Sequence, residues 1–204
     1  MCFFYAILFD CTFLGHKVSG HKLIGDMLPK VFKVLRMGNP VLRKKAKEVD
    51  YEEIQTTKVQ SFIDILVNTM RSEIGVGIAA PQVGKSVRIF VMECQNNERY
   101  TGKDGFPMTV AINPTIEPTS EDQIENWEGC LSIPGIRGSV PRYSQVKLKA
   151  LDRFGESFEK DLQGFEAVVA QHELDHLNGI LFIDRLIDTK KLAFYEEYLE
   201  FETQ

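Results

Sequence analysis

The sequence predicts an α+β fold: antiparallel or mixed β-sheets packed around one central helix, with a long helix ahead of the strands and another at the C-terminus. Three observations predict it. Short strand-like runs follow one another between residues 87 and 162. An apolar stripe of helical period precedes them, and a helix with two histidines four residues apart follows. Strands in a run, with helices at either end, are the pattern of segregated sheets and helices.

The elements are read in order. Residues 51–73 form the long N-terminal helix, because Phe62, Leu66 and Met70 fall at i, i+4 and i+8 with Val59, Ile63 and Val67 beside them. Asp50 is its expected N-cap, with Glu53 completing a capping box. Residues 75–82 hold two glycines and two alanines, small enough to allow a tight crossing between elements. Residues 87–92 are a strand, 96–107 a polar loop, and 108–112 and 115–117 two short strands around Asn113-Pro114. Residues 123–127 lead into a loop at Cys130. Residues 138–140, 146–151 and 157–162 are strands, the last two joined by the turn Asp152-Arg153-Phe154-Gly155-Glu156. After the two-histidine helix, residues 180–183 are extended or turn-like and 189–201 a final helix.

Composition narrows the class. A chain of 204 residues, 44% hydrophobic and 26% charged, has enough core for one domain. A net charge of −5 argues against nucleic acid as the substrate or main partner. Four cysteines stand at 2, 11, 94 and 130 without paired spacing, which favours free thiols in a reducing compartment. No run is long enough to span a membrane, so no membrane partner is expected. Residues 1–14 are apolar, but no basic flank or clear cleavage site accompanies them, and residues 1–29 contain no Arg and two Asp. Secretory and organelle targeting are both disfavoured. Residues 1–26 are expected to be an extension, disordered or a mis-assigned start ahead of Met27. His16 and His21 within it belong to an exposed tail. Residues 27–204 are expected to form one domain.

The chemistry concentrates in Gln171-His172-Glu173-Leu174-Asp175-His176. On a helix, His172 and His176 share a face, where two imidazoles can hold one metal ion with Glu173 beside them as a proton carrier. The same residues also suit an ordinary buried helix whose imidazoles are satisfied by hydrogen bonds. A third ligand would decide. The pattern H-E-x-x-H-x-x-G-x-x-H is followed as far as Gly179, and then Phe182 stands where the last His belongs. Glu196 and Glu197 lie about twenty residues beyond His176, the range used by another class of H-E-x-x-H protease. Upstream, Cys130 is the other candidate.

Glu128-Gly129-Cys130-Leu131-Ser132, the Gln171–His176 stretch some forty residues later, and Gly75-Val76-Gly77-Ile78-Ala79-Ala80-Pro81-Gln82 before both resemble the three signature motifs of peptide deformylase. The resemblance covers residues 31–188. It implies that residues 27–204 are a catalytic domain that removes the formyl group from the formyl-methionine of newly made proteins, releasing formate. It implies the metal ligands Cys130, His172 and His176, with Fe(II) as the native ion and Zn(II), Ni(II) or Co(II) able to substitute. Glu173 becomes the proton carrier, and Gln82 and the Leu131 N–H stabilise the oxyanion. The substrate backbone adds beside Val76, Gly77, Gly129 and the Cys130 loop. Val76, Phe165, Val168 and Leu131 wall the methionine pocket, with Glu128 and Arg137 near its mouth. Arg142 and Asp175 are a candidate pair for orienting the metal helix.

The expected partners are N-formyl-methionyl nascent chains, in the bacterial cytoplasm. Ribosome contact is left open, since residues 195–204 contain no Lys or Arg. Two alternatives stand beside this reading: an H-E-x-x-H metalloprotease with Glu196 as third ligand, and a non-catalytic module with a structural metal.

Overall fold

The computed structural model describes residues 29–95 and 104–201. The expected N-terminal extension, its two histidines and most of the expected polar loop at 96–107 lie outside the described residues.

The fold is α+β, with helices α1 (Tyr51–Ile54), α2 (Thr57–Ser72), α3 (Gly164–Leu177) and α4 (Tyr195–Phe201). The strands are β1 (Gly77–Ala79), β2 (Ile89–Cys94), β3 (Phe106–Pro118), β4 (Gln123–Cys130), β5 (Ile133–Tyr143), β6 (Gln145–Leu151), β7 (Ser157–Gln163) and β8 (Leu192–Phe194). They form a five-stranded sheet in the order β1-β2-β3-β6-β7 and a three-stranded sheet in the order β4-β5-β8. Every pairing within the sheets is antiparallel.

Helix α2 lays Ile63, Leu66 and Met70 against Ile78, Ile89, Val91 and Ile112. Each fully buried side chain of this size contributes about 1.5–3 kcal/mol. Helix α3 packs Ala167, Val169, Ala170 and Leu177 into the core shared with Phe90, Met92, Val146 and Leu148. It is buried nearly all round, which suits a helix lodged between layers and not one lying on a surface.

Four expectations change. The helix expected over 51–73 breaks at Gln55-Thr56. Thr56 turns to extended backbone, and its hydroxyl accepts from the Val59 N–H at 3.4 Å, which starts α2 afresh. Asp50 makes no side-chain capping bond. The strands expected on either side of Asn113 are one strand, β3, with a bulge. Asn113 takes φ +52°, and its side chain accepts from the Val49 N–H at 2.8 Å and donates to the Val49 carbonyl at 2.9 Å. The short strand expected at 138–140 runs through all of β5, since pairing with β4 on one side and β8 on the other outweighs the local Pro and Gly signals. The helix expected over 189–201 opens with a 3₁₀ turn at Thr189–Lys191 and the strand β8, drawn onto the edge of β5. Only Tyr195–Phe201 is α-helical.

Candidate active site

Three elements converge on one cleft. The edge strand β1 and the residues on either side of it supply Val76, Gly77 and Gln82. The end of β4 supplies Cys130 and Leu131, and α3 supplies His172, Glu173 and His176. Phe165 and Val168, the other expected pocket walls, line the same cleft from the start of α3.

Cys130, His172 and His176 are buried, with one ligand atom from each lying within 4.8 Å of the others. Cys130 Sγ is 3.3 Å from His176 Nε2, which is 3.2 Å from His172 Nε2. Four-coordinate bonds of about 2.0–2.3 Å at tetrahedral angles place donor atoms roughly 3.3–3.6 Å apart, so this trio matches the span of one transition-metal ion. One soft thiolate and two imidazoles form a donor set suited to Fe(II) or Zn(II). Glu196, the ligand of the protease alternative, lies exposed on α4 outside this cluster.

The imidazole of His172 is fixed from behind. Its Nδ1 lies 2.8 Å from Oε2 of Glu128, which leaves Nε2 facing the cluster. The Phe182 ring stacks on the imidazole, with centroids 6.4 Å apart. Arg142 grips Glu128 with two bonds, 2.8 and 3.1 Å, and reaches Asp175 at 2.6 Å. Arg185 holds the same Asp175 at 2.6 and 3.1 Å. The expected Arg142–Asp175 pair is therefore present, within a larger chain of charges. Glu128, expected near the pocket mouth, lines the cleft; its side chain is 4% exposed, with the carboxylate turned inward onto Arg142 and His172.

Gly77 shows why residues 75–82 are so small. A Cβ there would fall 2.4 Å from Oε1 of Glu173. The close approach is by the catalytic-looking carboxylate, and only a glycine leaves it room. Burial pushes Glu173 up to about 7, against the pull of His172. Its Oε2 is buried without a hydrogen-bond partner, as is Nδ1 of His176. Burial and the neighbouring His172 hold His176 well below the usual histidine range. His172 is raised, because its bonds to Cys130 and Glu128 outweigh its own burial.

Gln82 is almost fully buried, and its amide is oriented. The Ala79 N–H donates to its Oε1 at 2.8 Å, so its Nε2 faces Cys130 Sγ at 3.6 Å and Ser132 Oγ at 3.3 Å. The peptide joining Leu131 to Ser132 is pinned at both ends. Arg36 donates to the Leu131 carbonyl at 2.5 Å, and the Ser132 N–H donates to Cys130 Sγ at 3.4 Å. Nothing in the sequence marks Arg36 or Arg185 as neighbours of this site, whereas Phe182, which stacks on His172, stands where the H-E-x-x-H-x-x-G-x-x-H pattern puts its last His. Tyr195, from the far C-terminus, also lines the cleft with Arg137.

A family model described as polypeptide deformylase matches residues 31–192. A peptide deformylase 2 from Nostoc is 42% identical over 178 residues, covering 87% of this chain and 98% of the relative. A peptide deformylase 1 from Nitrosomonas europaea is 41% identical over 161 residues, covering 79% and 90%. Among solved structures, a class I type b peptide deformylase from Acinetobacter baumannii with Met-Ala-Ser bound superposes with a TM-score of 0.75 at 39% identity. That match covers 78% of this chain and 99% of the other. The deformylase of Thermotoga maritima gives 0.66 at 38%, covering 78% and 99%. The match spans most of the chain and includes every residue gathered around the cleft except Tyr195, and on that ground the chain belongs to the polypeptide deformylase family, whose members are metal-dependent.

Proposed function

We propose that this protein hydrolyses the N-formyl amide of formyl-methionyl nascent chains, releasing formate and a free α-amine. The observation that carries the reading is the convergence of a metal-ligating trio, a buried carboxylate with an unpaired oxygen and an oriented amide on one cleft. Met-Ala-Ser, bound to the Acinetobacter relative, is what deformylation of a formylated tripeptide would leave.

Cys130, His172 and His176 would hold the ion, and three protein ligands leave a position open for chemistry. When bound, a divalent ion supplies Lewis-acid activation of water. Fe(II) is the proposed native ion, with Zn(II), Ni(II) or Co(II) as substitutes. Glu173 takes a proton from the attacking water onto its unpaired Oε2 and returns it to the amine nitrogen as the C–N bond breaks. A carboxyl that titrates near neutral pH suits both halves of that exchange. The Gln82 Nε2–H and the Leu131 N–H stabilise the oxyanion, each donor contributing about 3 kcal/mol to the transition state. Glu128 orients His172 from behind while its residue also lines the cleft. The peptide lies as a strand beside Val76-Gly77 and Gly129, and the methionine side chain enters between Val76, Phe165 and Val168. Residues 27–204 act as one catalytic domain, preceded by a dispensable extension. The protein works in the bacterial cytoplasm; no helix among the described residues is long and apolar enough to cross a membrane.

The test is a set of three variants purified without air: Cys130→Ala, Glu173→Gln and Glu196→Ala. Bound metal and formate release from formyl-Met-Ala-Ser are measured for each. C130A should lose metal and turnover. E173Q should keep the metal and lose about 10²–10⁴-fold in rate, because an amide cannot take the proton. E196A should change neither. Wild type loaded with Fe(II) or Ni(II) that releases no formate would end the assignment.

A further inference from the structure

The two histidines of α3 are anchored differently. His172 is oriented through its side chain, by Glu128 behind Nδ1. His176 has no such anchor, since its Nδ1 is buried without a hydrogen-bond partner. The position of that imidazole therefore depends on the backbone of the last helical turn. The turn ends against Arg88, a buried residue just ahead of β2. Arg88 Nη1 donates to Asn178 Oδ1 at 3.0 Å and to the Leu177 carbonyl at 3.5 Å. Its Nη2 donates to the Pro114 carbonyl of β3 at 3.1 Å. Arg142 meets two carboxylates, whereas Arg88 makes these bonds to neutral oxygens, two of them at a helix end. A cation there opposes the partial negative charge of the helix C-terminus. The backbone of Arg88 is itself fixed: its N–H donates to the Lys47 carbonyl and its carbonyl accepts from the Asn113 N–H, each at 2.8 Å.

We infer that Arg88 is a positioning residue for the metal site: it sets the last turn of α3 against the five-stranded sheet, and so sets where His176 presents Nε2 to Cys130 and His172. The inference rests on the ligand set proposed above. Leu177 follows His176 directly, about 1.5 Å further along the helix axis, so displacing one carries the other. A planar guanidinium can bridge the helix end and β3 at once, because its donors point in fixed directions. A lysine at the same place brings the charge but not the fork. The two ligating histidines are thereby held from opposite sides, His172 from the three-stranded sheet through Glu128 and His176 from the five-stranded sheet through Arg88.

The experiment measures Co(II) affinity by chelator competition, and the visible absorption of the Co(II)-loaded protein, in wild type, Arg88→Met, Arg88→Lys, Asn178→Ala and Asn113→Gly. Ligand type and geometry set that spectrum, so it reports how the trio is arranged. R88M should bind Co(II) about tenfold more weakly, with an altered spectrum. R88K should recover part of the loss, and N178A, which removes one acceptor, should lose about two- to threefold. N113G is the stability control. Asn113 holds φ +52°, which glycine accepts, and its side-chain bonds go to Val49. It should lower the melting temperature and leave affinity and spectrum as in wild type. Wild-type affinity and spectrum in R88M would overturn the inference, as would an equal change in N113G at an equal loss of melting temperature. Should R88M fail to fold, R88K and N178A decide: weaker binding in both upholds the role, and wild-type binding in both overturns it. Wild type that shows no thiolate-to-cobalt band would overturn the ligand set itself, a result distinct from an unperturbed variant.

Discussion

Oε2 of Glu128 lies 2.8 Å from Nδ1 of His172, and that contact sets which imidazole nitrogen faces Cys130 and His176. Glu128 is locked in place by two bonds from Arg142. A carboxylate behind a metal-ligating histidine fixes the tautomer and raises ligand basicity. Glu128→Ala should therefore weaken metal affinity about 10- to 100-fold, measured by competition with a chelator. It should also lower the melting temperature, because Arg142 loses one of its two buried partners.

Gly77→Ala tests the packing of Glu173, the proposed proton carrier. The new methyl group would meet the Glu173 carboxylate and no backbone atom closer than it, so the side chain has to shift. Displacement of a reacting group by about 1 Å can cost up to 10²-fold in rate. The expected result is a kcat at least about tenfold lower with bound metal unchanged. A variant with wild-type kcat would show that Glu173 tolerates displacement.

Arg36→Ala tests the strap that crosses the site. Besides the Arg36 bond to the Leu131 carbonyl, the Leu35 N–H donates to the Gln82 carbonyl and the Met37 N–H to the Ser132 carbonyl, each at 2.8 Å. Three consecutive residues thus hold both segments that carry the proposed oxyanion donors. Losing one charged hydrogen bond at the exposed rim should cost roughly 1 kcal/mol of transition-state stabilisation, about fivefold in kcat. KM for formyl-Met-Ala-Ser should change less, and Arg36→Lys should recover part of the rate.

Asp184→Asn addresses the turn that seats Phe182 against His172. Asp184 accepts from the Leu181 N–H at 2.8 Å and pairs with Arg43. Its burial is outweighed by these partners, so its carboxyl lies below the usual range. A depressed folded pKa stabilises the fold above the unfolded value near 4 and loses that contribution as pH falls through the folded value. D184N should be about 1 kcal/mol less stable than wild type at pH 7. The gap should close in denaturant titrations as pH drops below roughly 4. A gap independent of pH would assign the loss to the cap geometry and not to charge.

Local signals in the chain carried the α+β class, the helical placement of His172 and His176, and the hairpin turn at Asp152–Glu156. These depend on periods and turn residues within a few positions of one another. The same signals misread residues 51–73 and 189–201, because Thr56 caps a new helix locally while β8 is captured by a strand some fifty residues upstream. The resemblance set Glu128 near the pocket mouth; the residue lines the cleft, with its carboxylate turned inward onto Arg142 and His172.

What the sequence determined by itself is therefore the set of candidates: a two-histidine helix, a carboxylate beside the first histidine, Cys130 or Glu196 as a third ligand, and motifs that resemble one family. Tertiary structure alone decided which groups meet. It made Cys130 the third member of the cluster and left Glu196 exposed on α4. It turned Glu128 inward, put Phe182 on an imidazole face, and brought Tyr195 over Arg137. The physical reason is that residue types and short spacings fix local conformation, whereas contacts across tens of residues depend on how sheets and helices bury their apolar faces together.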